Sequence, residues 1–127
     1  MHHKQQDFEQ TDDALEAAID FAASSGSDGF LADMLYECGV IYFDAGALER
    51  AEKCHGRSLI LNQKLKRQKL IARQCWALGD VYKARRDYQK ALVLGRKAEQ
   101  LFRADGEMES ALSVTTWIGG VRAEGRL

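Results

Sequence analysis

Leu78-Gly79-Asp80-Val81-Tyr82 recurs in altered form forty residues to either side. Cys38-Gly39-Val40-Ile41-Tyr42 precedes it and Ile118-Gly119-Gly120-Val121-Arg122 follows it. Working outward, residues 31–70 laid over 71–110 pair Ala32 with Ala72, Gly39 with Gly79, Tyr42 with Tyr82, Ala51 with Ala91 and Leu61 with Leu101. Conservative pairs join them: Leu31/Ile71, Tyr36/Trp76, Ile41/Val81 and Leu48/Tyr88. Glycine inside a helix costs about 1 kcal/mol against alanine. Meeting that cost twice at one spacing points to close approach of a neighbouring helix. Ala51 and Ala91 would allow such an approach from the second helix of each pair. Self-similarity at this period is the mark of a helical repeat architecture.

The chain has 127 residues and no proline, so nothing forces a sharp break in its helices. Helix-favouring residues dominate and runs with period two are missing. The first helix is expected from Asp12 or Asp13, after a polar, flexible 1–11, with Leu15, Ala18, Ile19 and Ala22 as its apolar stripe; it ends at the Ser24–Gly29 cluster. The second runs from Phe30 to about Asp44 with Leu31, Met34, Leu35, Cys38, Ile41 and Tyr42 inward. The third runs from Leu48 towards Lys69, turning near Lys66–Lys69, with Leu48, Ala51, Ser58, Leu59 and Leu61 inward. The pattern then repeats over about Leu70–Ala84 and Tyr88–Ala104. Asp105-Gly106 is the next turn, and a last helix starts near Met108 with Val114, Thr115, Ile118 and Val121 apolar. One domain over 12–127 follows, divided into a leading helix (12–25), two pairs (30–70 and 71–110) and a terminal or capping helix (111–127).

The start carries no apolar stretch and does not read as a signal peptide. No apolar run approaches the roughly 18 residues of a membrane span. Three cysteines without a CxxC pair read as reduced thiols in a cytoplasmic setting. The net charge of −1 hides a strong asymmetry. Residues 1–30 carry one Lys against seven acids, a net of −6, whereas 50–103 carry fifteen Lys and Arg against four acids, a net of +11. A centre this basic is expected to attract an acidic partner.

At Cys75-x-x-Leu78-Gly79-x-x-Tyr82…Ala91, and at Leu35-x-x-Cys38-Gly39-x-x-Tyr42…Ala51, the chain resembles the tetratricopeptide repeat family. Ala17-x-x-x-Phe21 is similar to a preceding second helix. The resemblance covers about residues 13–122. The period of 40 departs from the usual 34 and resembles the long-helix variants of kinesin light chains and Pins-type adaptors. His55 and Gly95 stand where the second helix usually has an aromatic residue, and the proline that often ends a unit is missing. HEAT and armadillo repeats share the longer period but lack this Gly-x-x-Tyr placement. The resemblance implies an all-α, right-handed solenoid of about six antiparallel helices.

It also implies a concave groove lined by the first helix of each pair. Carried over by position, that groove holds Asp33, Tyr36, Glu37, Val40 and Phe43, then Arg73, Trp76, Asp80 and Lys83, then Trp117. Aromatic residues on the polar side of a helix, beside an Arg, are typical anchors of a binding surface. The competing reading is that they pack on the next helix. The Lys and Asn set with which chaperone-binding members grip a C-terminal carboxylate is missing, which argues against that function.

Lys64-Leu65-Lys66-Arg67-Gln68-Lys69 reads as a solvated helix end more readily than as a nucleic-acid patch, since no aromatics interleave it. Cys54-His55 has no second chelating pair, so Cys38 and Cys75 read as small buried hydrophobes and no metal or cofactor is expected. No catalytic motif is present. The expected function is therefore protein recognition, without catalysis: an extended or helical, acidic peptide laid in the groove. The alternative is self-assembly through the terminal helices, with Val114 and Trp117 large for solvent-facing positions. Nucleic-acid binding by the basic centre is a weaker third.

Overall fold

A computed structural model describes the backbone of residues 2–127 and the side chains from Asp7 onward. Among the described residues there are six helices and no strand: α1 (His2–Ser24), α2 (Asp28–Asp44), α3 (Leu48–Leu65), α4 (Gln68–Ala84), α5 (Tyr88–Ala104) and α6 (Met108–Gly125). Each helix folds back on the one before it, and α2 also touches α4. The result is the expected all-α arrangement of helical hairpins stacked in chain order.

The backbone repeats at half the sequence period. A left-handed residue ends each helix at Gly26, Gly46, Lys66, Arg86, Gly106 and Arg126, one every twenty residues. After all but the first of these turns, the amide that follows closes a bond to the carbonyl five residues back. Ala47 donates to Tyr42, Arg67 to Asn62, Asp87 to Tyr82, Glu107 to Phe102 and Leu127 to Arg122, at 2.8–3.1 Å. This bond satisfies a carbonyl that the helix end leaves open. Lys66 and Arg86 hold the left-handed conformation without the freedom of glycine, which is why the ends of α3 and α4 are hard to place from sequence.

Four expectations about helix limits and faces change. α1 begins at His2 rather than at Asp12 or Asp13, and Phe8 packs against the first core cluster with Arg50 over its ring at 5.2 Å. Met1 and the side chains of residues 2–6, part of the stretch expected to be flexible, lie outside the described residues. The turn after α3 is narrower than Lys66–Lys69, because Arg67 already caps α4. Ile41 was expected inward but is 43% exposed. Thr115 is exposed as well, its hydroxyl within hydrogen-bond reach of both Ala111 O, at 3.0 Å, and the Glu99 carboxylate.

The core falls into three clusters, the smallest built from Ala91, Leu92 and Val121 of α5 and α6. Leu15, Ile19, Leu35, Cys38, Tyr42, Ala51 and Cys54 join α1, α2 and α3. Ile71, Ala72, Cys75, Ala98, Phe102, Ala111 and Val114 join α4, α5 and α6. Ala51 and Ala91 are both fully buried, as the repeat required.

The close approach at the helix glycines is made by rings. A Cβ on Gly39 would lie 2.6–2.8 Å from the His55 imidazole, within the same hairpin. At Gly79 it would meet Trp117 at 2.8 Å, and at Gly95 the same indole at 2.5 Å. Trp117 comes from α6, outside the α4–α5 hairpin, and fills the space that Gly95 leaves where its repeat counterpart is His55.

Candidate functional site

The first helices α2 and α4 present Tyr36, Val40, Phe43, Arg73, Trp76 and Asp80 towards one another. They line an open cavity of about 670 Å³, completed by Asp44, His55, Ala77, Phe102 and Ser110. A smaller adjoining cavity of about 330 Å³ is lined by Asp33, Tyr36, Glu37, Asn62, Leu70, Arg73 and Gln74. Tyr36 and Arg73 belong to both. Eight of the ten residues chosen from the sequence therefore surround one continuous depression.

The other two lie elsewhere. Trp117 is packed between α4 and α5, with its Nε1–H donating to Asp80 Oδ1 at 2.7 Å. Lys83 reaches Glu124 of α6 at 3.7 Å. Asp44 and Ala77 escaped the sequence reading. Asp44 follows Val40 by one helical turn on the same face, so the spacing carried a signal for it. Ala77 lines the cavity because it is small; its counterpart forty residues on is Trp117, which fills its own site instead.

Aromatic side chains give the cavity firm walls. Tyr36 stands edge-on to His55 with centroids 5.5 Å apart, and Trp76 edge-on to Phe102 at 6.3 Å. His55 Nδ1–H donates to Gln74 Oε1 at 3.0 Å, and burial holds its pKa below the ordinary value despite that bond. His55 is therefore neutral near pH 7. The Trp76 Nε1–H is buried and has no acceptor among the described residues. An orphaned buried donor is rare and calls for a partner.

The charges around the cavity run against the acidic-peptide expectation. The lining holds the carboxylates Asp33, Glu37, Asp44 and Asp80 and one guanidinium, Arg73. Arg67 already pairs with Asp33 at 3.0 Å. Among the described residues Glu37, Asp44 and Arg73 make no ion pair. Burial pushes the Asp80 carboxyl above the usual carboxylate range, opposed by the Trp117 bond and by Lys83. Many of the cations that make the centre basic sit on α3 and α5, the second helices, among them Arg50, Lys53, Arg57, Lys90, Arg96, Lys97 and Arg103. Charge summed along the sequence mixed the two faces.

Cys38 and Cys75 are buried as expected, and Cys54 is buried too. Burial raises all three pKa values, that of Cys54 to about 11 with Cys38 adding to it. Thiolate character is thereby suppressed. No group of His, Cys, Asp and Glu among the described residues has the geometry to hold a metal ion. No helix among them is long and apolar enough to cross a membrane. No protein-family model matches the chain, and no curated protein sequence matches it.

Proposed function

We propose that this chain is a tetratricopeptide-like scaffold that binds a peptide segment of another protein in the depression between α2 and α4. The observation that carries the reading is the convergence of Tyr36, Val40, Phe43, Arg73, Trp76 and Asp80 on one 670 Å³ cavity. Its aromatic walls, with a few polar groups, have the make-up of a recognition site. The size suits side chains of an extended or helical segment docked as in other groove complexes. On this reading the chain contributes positioning rather than chemistry, and works in a reducing compartment such as the cytoplasm, where Cys38, Cys54 and Cys75 stay as thiols.

A peptide-display selection on the full chain tests the proposal. Enriched peptides are expected to shift the Trp76 indole N–H signal and to lose binding in Tyr36→Ala, while Lys53→Ala on α3 leaves them unaffected. Peptides that bind equally to Tyr36→Ala, or a selection that enriches none, would overturn it.

A second reading, self-association through the end helices, has its own support, though not at the positions expected. Val114 is fully buried and Trp117 is packed inside. It is Met108 and Leu112 (61% exposed) on α6, and Phe21 (71% exposed) on α1, that face outward. Beside Gly119, the counterpart of Gly39 and Gly79, a Cβ would meet open space. Sedimentation over a wide concentration range decides this reading: a constant monomer mass rejects it, and a mass that falls on Leu112→Lys supports it.

A further inference from the structure

The cavity between α2 and α4 combines two features that rarely share a site without a reason. Tyr36, Phe43 and Trp76 supply aromatic surface, and Asp44 and Asp80 supply carboxylates. Aromatic faces attract cations through the ring quadrupole, the more so when water is excluded. Carboxylates at the same opening add charge complementarity, which selects partners by sign.

We infer that the cavity anchors a lysine or arginine side chain of the bound segment, its charge held by Asp44 and Asp80 between the aromatic walls. This rests on the peptide-groove reading and specifies the partner's chemistry: a basic segment, opposite in sign to what the basic centre of the sequence suggests. Arg73 lies at the junction with the smaller cavity and repels a second cation there, so the register is one basic anchor flanked on that side by a neutral or acidic residue. His55 adds no positive charge, being neutral and bonded to Gln74. The cations of α3 and α5 stand on the other helices of each pair and do not enter the depression.

The test uses the full chain and four pools of short degenerate peptides whose central residue is Lys, Arg, norleucine or Glu. Binding is read by calorimetry and by the Trp76 indole N–H resonance. The Lys or Arg pool is expected to bind about tenfold or more tighter than norleucine, and Asp44→Asn to remove about that preference. Asp80→Asn keeps an acceptor for Trp117 and is expected to act in the same direction. Equal binding of the Lys, Arg and norleucine pools with movement of the Trp76 signal overturns the cationic anchor and leaves the groove reading standing. Preference for the Glu pool also overturns the anchor. No movement of the Trp76 signal with any pool removes both.

Discussion

The two hairpins of this chain fill the same positions with different chemistry. The α2–α3 hairpin buries His55, Ser58 and Asn62, where α4–α5 buries Gly95, Ala98 and Phe102. Gln74 on α4, which bonds His55, has Val114 as its counterpart on α6. The first layer is held by a polar chain: Ser58 Oγ donates to Ala32 O at 2.8 Å, Asn62 to Ser58 at 3.3 Å and Arg67 to Asn62 at 2.8 Å. The second is an apolar core. The slot beside the helix glycine is filled by His55 from inside the first hairpin and by Trp117 from outside the second. That choice shapes the depression between α2 and α4. Ala77 leaves the depression between α2 and α4 open, whereas at the equivalent place Trp117 packs down between α4 and α5.

Several changes break or sharpen this contrast. Trp117→Ala should have the largest effect, a loss of about 3–5 kcal/mol in denaturant unfolding, because it empties a slot two glycines were shaped to receive. Gly39→Ala, Gly79→Ala and Gly95→Ala should each lose about 1–3 kcal/mol through overpacking, despite the gain in helix propensity. Gly56→Ala and Gly119→Ala, where a new Cβ meets nothing, should instead gain up to about 1 kcal/mol. A shared sign across all five glycines would refute the slot account.

Lys66→Gly and Arg86→Gly test the twenty-residue backbone period. Each relieves a left-handed non-glycine residue and should stabilise the fold by about 1 kcal/mol at most, read as a higher midpoint of thermal unfolding. The smallest effect expected is one of pH, confined to the first hairpin. Burial depresses the folded pKa of His55 below its ordinary 6.5. The stability it contributes is thus fully present above about pH 6.5 and declines as pH falls towards the lower folded value, because the unfolded chain then binds the proton more readily. Amide exchange should show α3 loosening at mildly acidic pH in the wild type, and this response should vanish in His55→Phe.

The forty-residue period, the inward positions of Ala51 and Ala91, and the gathering of eight of the ten chosen residues around one depression were legible because they follow from helix register and residue size. Three things were not. The ends of α3 and α4 were hidden because Lys66 and Arg86 occupy positions that Gly46 and Gly106 mark openly elsewhere. Trp117 was placed in the groove because register says which face a residue shares, not whether a glycine 22 positions earlier has left room to bury it. The charge around the depression was hidden because the basic window, 50–103, leaves out α2, whose Asp33, Glu37 and Asp44 supply most of the lining carboxylates.

The most direct measurement is a double-mutant cycle at the exchanged slot: Gly95→His, Trp117→Ala and the pair together, by denaturant unfolding. One slot with two alternative fillings predicts that the pair loses clearly less than the sum of the single losses, with a coupling of about 0.5–3 kcal/mol. Losses that add to within about 0.5 kcal/mol would mean that His55 and Trp117 are unrelated packing events, and the account would fail.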